Sequence, residues 1–126
     1  MDYFYEPVNV NIWNMFEEVK EIGHVETFSA VKTMRRGDRV LLHVGKQNRK
    51  YENGIYAVGE IISEPYLLSG DEEDYCNNKN CVDVKIIKMD WHRPIITHEE
   101  CKGFIRQFQS AHRIAPQYYG LIEGKL

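Results

Sequence analysis

The sequence predicts a small α+β domain whose short strands form a twisted or partly closed barrel. Three observations lead there. Two strand-like runs, residues 39–44 and 54–62, flank a basic, polar loop. Residues 81–88 alternate cleanly, with Val82, Val84 and Ile86 on one face. Two stretches of helical spacing, one around Trp13, Phe16 and Val19 and one over residues 97–108, supply flanking helices. With 126 residues the chain fits one domain, residues 1–126, with a modest core.

Residues 3–10 are rich in aromatic and β-branched side chains and read as a first strand. Pro7 lies inside it, so this strand is an edge, or is bent or broken there. Asn11 or Asn14 caps a helix running to about residue 22, with Gly23 as its stop. Residues 24–34 are ambiguous. The Arg36-Gly37-Asp38 turn launches a strand with Val40, Leu42 and Val44 on one face and Leu41 and His43 on the other. In the next strand Ile55, Ala57, Gly59 and Ile61 share a face, and Tyr56, Val58 and Ile62 form most of the opposite one. Apolar cover on both sides makes that strand central, and Gly59 marks a bend or a close backbone approach. Residues 69–80 read as a long polar loop and residues 91–94 as a turn. Thr97 and Glu100 fit a capping box, with Cys101, Phe104, Ile105 and Phe108 as the apolar stripe behind it. A turn at Ala115-Pro116-Gln117 precedes a last strand near residues 118–122.

The net charge of −3 counts against a general nucleic-acid coat. Its distribution is uneven. Between residues 32 and 50 lie Lys32, Arg35, Arg36, Arg39, Lys46, Arg49 and Lys50, opposed only by Asp38, while acid collects in Asp71-Glu72-Glu73-Asp74. Such a chain can present one cationic face to a polyanion; the plainer reading is two solvated surfaces. No apolar run approaches the roughly 20 residues of a membrane span. Residues 1–6 lack the basic and apolar regions of a signal peptide, which leads to a cytoplasmic expectation. Three cysteines argue against a disulfide framework.

The loop between the two central runs carries Lys46, Gln47, Arg49, Lys50 and Tyr51, a composition suited to a phosphate-rich ligand. Around it the sequence resembles the EVE domain of the PUA-like superfamily. The matching residues are Gly37-Asp38, the run Gly54-Ile55-Tyr56-Ala57-Val58-Gly59-Glu60, and Ser63-Glu64-Pro65. Asn9 with Trp13, Val82-Asp83-Val84-Lys85-Ile86, Pro94-Ile95-Ile96-Thr97, and Arg113 with Pro116-Gln117 extend the similarity over nearly the whole chain. The resemblance implies a mixed β-barrel of five to six strands flanked by two or more helices. It also implies a concave pocket for a modified base, no catalysis and no cofactor. The implied partner is DNA carrying a methylated or hydroxymethylated base, flipped out of the duplex. An effector nuclease or NTPase, in trans or by fusion, would act on the marked DNA, as in modification-dependent restriction.

Rotating a base out of a duplex costs a few kcal/mol, and stacking on aromatic rings returns about 1–3 kcal/mol per base. A methyl group adds only about 0.8 kcal/mol, so discrimination needs a tight, dry slot. The expected walls are Trp13, His43, Tyr56 and Trp91. Asn9, Asn11 and the backbone around Val44 and Gly45 are the expected edge readers. Lys46, Arg49, Lys50 and Arg113, with Gln117 nearby, are the expected phosphate contacts. His43 stands where the family usually has Trp or Tyr, and Gly45 where it usually has Ser. Core packing is the competing reading for Trp13 and Tyr56, a surface position for His43, and turn or cap formation for Asn9 and Asn11.

Three other functions compete. Cys76, Cys81, His98 and Cys101 could supply four zinc ligands, although C-x4-C is not a tight knuckle spacing. A small enzyme could use His43, His92 or His98 as a base and Cys76 or Cys81 as a nucleophile, but no nucleophile elbow or phosphate-cradling loop is present. An RNA-binding module acting on modified or structured RNA is the remaining alternative.

Overall fold

The computed structural model describes residues 1–68 and 79–126; the acidic run at 71–74 and Cys76 lie outside them. The strands are β1 (Tyr3–Val8), β2 (Val25–Ser29), β3 (Arg39–Val44), β4 (Gly54–Ile61), β5 (Tyr66–Leu68), β6 (Lys79–Met89), β7 (Ile96–Thr97) and β8 (His112–Arg113). Three short helices accompany them: α1 (Met15–Glu18), α2 (His98–Cys101) and α3 (Tyr119–Lys125). The sheet runs β2-β6-β4-β3-β1-β8, with β5 beside β6 and β7 beside β4. Its ladders are antiparallel except β1–β3, which is parallel. The result is an α+β, mixed half-barrel of six strands plus two short additions.

The central strand is the predicted one. β4 lies between β3 and β6, and all of it but Glu60 is buried. The predicted division of its faces fails, because a register shift interrupts the alternation. It falls at Leu42/His43 with Tyr56 as the extra residue; a second shift, at Val58/Gly59, places its extra residue, Ile87, on β6. A bulge adds a residue and re-aims the side chains beyond it. Tyr56, Ala57 and Ile61 therefore join one core, with Phe4, Val8, Leu42, Val44, Val82, Val84 and Ile86. Ile55 and Val58 join the other, with Tyr5, Leu41, Cys101 and Ile105. Gly59 is a close approach: a Cβ there would lie 2.2 Å from Val84 Cγ1.

Both predicted helices are shorter than expected. Asn14 caps α1 through its side chain to the Phe16 N–H, but the helix ends after Glu18. Trp13 precedes it, and Val19 leaves it in extended conformation. Thr97 and Glu100 form the full capping box, yet α2 stops at Cys101 instead of reaching residue 108. The chain turns through Gly103, while Phe104 and Ile105 still reach the core. Residues 118–122 are not a strand: Pro116–Tyr118 form a 3₁₀ turn that runs into α3. The ambiguous segment holds β2, and β5, β7 and β8 are strands the periodicity did not reveal, being two or three residues long. Among the described residues no helix is long and apolar enough to cross a membrane.

Pro7 sits where a ladder is missing. β1 pairs with β3 along its length, Pro7 opposite His43, but β8 meets it only at Phe4 and Tyr5. From Glu6 onward one side of β1 is open, and a residue without an N–H suits such an edge. Among the described residues β2 is likewise paired on one side only, to β6.

Candidate nucleic-acid interface

The two open edges wall a cavity of about 450 Å³, within the usual range for small-ligand sites. β1 contributes Glu6, Pro7 and Val8, and β2 contributes Glu26, Thr27 and Phe28. Asn9, Ile12 and Trp13 close it from the turn after β1. That turn is built by backbone bonds from the Ile12 and Trp13 N–H groups to the Asn9 carbonyl, each 3.0 Å, and by the Asn9 side chain accepting from the Asn11 N–H. Trp13 meets Phe28 edge to face, with centroids 5.8 Å apart. The lining thus combines two aromatic rings with two carboxyls and an amide.

Glu6 is the unusual member. It alternates with Phe4 and Val8, so it points into the same side of the sheet as they do, and it is only 6% exposed. Its Oε2 has no hydrogen-bond partner among the described residues. Burial pushes its carboxyl up to about 8, so the group is mainly a neutral acid at neutral pH.

The basic loop reaches the cavity rim through the same turn. Asn11 donates from its side chain to the Gln47 carbonyl (2.9 Å), and Asn48 donates to Asn11 Oδ1 (3.3 Å). Tyr51 stacks on Phe16 at 4.2 Å, 10° between planes, and carries Lys50 over its ring. Lys46, Arg49 and Lys50 are left exposed beside the turn that lines the cavity.

Of the expected pocket residues, the structure brings Asn9 and Trp13 to the cavity, with Asn11 behind them. Val44 and Gly45 follow the β3 register beside Val8 but do not line it. Three expected walls are elsewhere. Tyr56 is a core residue whose hydroxyl donates to the Glu52 carbonyl at 2.7 Å. Trp91 is half-buried, with its indole N–H donated to the Val19 carbonyl at 2.8 Å. His43 is buried on the opposite side of β3, among Tyr5, His98 and Phe108. The expected phosphate contacts also divide. Arg113 and Gln117 line a second hollow of about 380 Å³ with Lys102, Arg106 and His112, and Arg113 lies 3.7 Å from Asp2.

His43 forms a hydrogen-bond chain. Tyr5 gives its one hydroxyl hydrogen to the Phe108 carbonyl (3.0 Å), so His43 Nδ1–H must donate to the Tyr5 oxygen at 3.2 Å. His43 Nε2 is then bare and accepts from His98 Nδ1–H, also at 3.2 Å. Burial first, and then neighbouring His98, lower His43 to about 4, which keeps it neutral. His98 is engaged there and Cys101 is packed in the core, its thiol pushed up to about 12 by burial. Among the described residues no group of three or more His, Cys, Asp or Glu side chains could hold a metal ion.

These two buried groups give stability opposite pH trends. Folded Glu6 keeps a proton that the unfolded chain releases above about 4.5, so its contribution is complete below that pH and is lost as pH rises through about 8. His43 refuses a proton that the unfolded chain accepts below 6.5, so its contribution is lost as pH falls from there through about 4. The trends oppose each other between 4.5 and 6.5. Chemical denaturation across pH should therefore show stability falling from pH 6.5 to 8, by up to about 1.4 kcal/mol per unit. Glu6→Gln should remove that fall.

A family model for the EVE domain matches residues 6–115. The chain belongs to the EVE domain family, and its half-barrel is the PUA-like fold. Solved structures agree on the fold. Rpa0253 from Rhodopseudomonas palustris is 22% identical, with 99% of this chain and 92% of that one covered and a TM-score of 0.64. PSPTO5229 from Pseudomonas syringae is 13% identical, with 98% and 99% covered and a TM-score of 0.66. A hypothetical protein from Leishmania major is 16% identical, with 98% and 93% covered and a TM-score of 0.65. No curated protein matches the chain in sequence.

Proposed function

We infer that the chain is a nucleic-acid-binding module that takes one modified base of DNA into the cavity between β1 and β2. The observation that carries this reading is the cavity itself. It combines the Trp13 and Phe28 rings with the polar side chains of Glu6, Asn9 and Glu26, and exposed cations stand on the adjoining loop. An extruded base stacks on the rings and presents its edge to the polar side chains, while Lys46, Arg49 and Lys50 hold the flanking phosphates. Domains of this fold are generally binding modules, which fits a specificity element for an effector nuclease or NTPase better than an independent catalyst.

The test is an anisotropy titration against DNA and RNA oligonucleotides carrying methylated or hydroxymethylated cytosine or methylated adenine, with plain controls. A preference of tenfold or more for one modified DNA supports the reading. Equal affinity for every modification state overturns it, and preference confined to RNA transfers the site to RNA. Arg49→Ala with Lys50→Ala should weaken all oligonucleotides together, with the salt slope reduced by about 0.9 per lost duplex contact.

A further inference from the structure

Glu6 is a carboxyl group placed where a hydrophobic residue would serve the fold better. It shares the inward face of β1 with Phe4 and Val8, is 6% exposed, lines the cavity, and leaves Oε2 without a partner among the described residues. No Lys, Arg or His belongs to the cavity lining. Among the described residues the other titratable lining group is Glu26 of β2, which is paired with His24 at 2.8 Å. Thr27 turns its side chain to the opposite face of β2 from Glu26 and Phe28, where its hydroxyl donates to Asp83 of β6 at 3.2 Å. The neighbouring positions on the same face of β3, Leu42 and Val44, carry no charge. A buried acid with no cation in the lining of its cavity is held uncharged by desolvation.

We propose that Glu6 reads the base edge as a neutral carboxylic acid, and that the cavity selects bases bearing an amino group beside a bare ring nitrogen, the chemistry shared by cytosine and adenine. This rests on the reading of the site as a base pocket. A neutral carboxyl has one O–H donor next to one carbonyl acceptor. Its O–H meets the ring nitrogen and its carbonyl takes one amino hydrogen. The second amino substituent faces the remaining lining acceptor, the Glu26 carboxyl, so it is either a hydrogen or a small modification. Thymine and uracil carry a carbonyl in place of the amino group, and its remaining lone pair would face the Glu26 acceptor. Guanine offers two adjacent donors, which match an ionised carboxylate and not the acid. Burial raises the Glu6 carboxyl to about 8, which makes the two protonation states separable by experiment.

The experiment measures dissociation constants of the intact chain for single-stranded DNA probes that differ in one base, at pH 6, 7 and 9, for the native sequence, Glu6→Gln and Glu6→Leu. For probes with a modified cytosine or adenine, native affinity should fall about tenfold between pH 7 and 9, as the competent fraction falls with ionisation. Glu6→Gln keeps a donor beside an acceptor, so it should bind within about threefold of native at pH 7 and be flat to pH 9. Glu6→Leu should lose the preference for amino-bearing bases at every pH. Carboxyl carbon shifts followed by NMR should place the Glu6 titration higher with bound probe than without. Modified-base binding with no pH dependence, or a slope retained by Glu6→Gln, overturns the role of Glu6 alone. Binding of thymine or uracil equal to cytosine and adenine overturns the selectivity. Failure to bind any probe overturns the base pocket and this proposal with it.

Discussion

Trp13→Ala should weaken binding of modified-base oligonucleotides by roughly one to two orders of magnitude, the loss expected when one base gives up an aromatic stacking partner worth about 1–3 kcal/mol. The indole is the aromatic surface that the turn after β1 turns toward the cavity, braced edge to face by Phe28. Trp13→Phe keeps a smaller plate and should lose about a third to a half of that free energy. Trp91→Ala is the contrasting case. Its ring packs on the core and its N–H holds the Val19 carbonyl, so it should lower stability while base preference is unchanged. Isothermal titration beside thermal unfolding separates the two. If Trp13→Ala binds like the native chain, the base does not stack where we place it.

Gly54→Ala should be among the most destabilising single changes in the chain, at about 2–5 kcal/mol. Gly54 opens β4 at φ +153°, and a Cβ there would stand 2.6 Å from Pro94 Cβ and 2.7 Å from the Ile96 carbonyl oxygen. The oxygen belongs to the backbone of β7, paired with β4 at this residue, so relief requires the ladder to shift. Gly120→Ala is the matched control: it lies in α3, and a Cβ meets nothing within 4 Å. Alanine is the better helix former, so that change should be neutral or stabilise by up to about 1 kcal/mol. Urea unfolding of both variants tests the contrast; equal midpoints would mean that the strand opening yields without cost.

Legibility in the sequence depended on how local each signal is. Residues 39–44 and Gly54–Ile61 were legible because alternation and a glycine-led start are written in neighbouring residues. The Asn14 and Thr97 caps were legible for the same reason. The helix ends were not. Spacing at Trp13, Phe16 and Val19, or Cys101, Phe104 and Ile105, reports which residues meet the core, and an irregular turn can deliver the same contacts. The faces of β4 were hidden because a bulge depends on the path of the partner strand. His43 alternates with Leu41, as expected, yet burial and its bond to Tyr5 come from β1 and residue 108. Of the site, Asn9 and Trp13 were visible, but Glu26, Thr27 and Phe28 come from a segment with no readable pattern. Glu6 did leave a signal: an acid on the inward register between Phe4 and Val8.

The first strand is bonded to the last. Phe4 and Tyr5 pair with Arg113 and His112, Ile114 N–H donates to the Tyr3 carbonyl, and Tyr119 donates to Asp2. Synthesis on the ribosome therefore has to deliver more than a hundred residues before this seam can zip. Until then β1 has only its parallel neighbour, and such distant closure is paid in time. Refolding should be a slow, late-committing event, and a nascent chain stalled short of Arg113 would expose Phe4 and Tyr5 to chaperones.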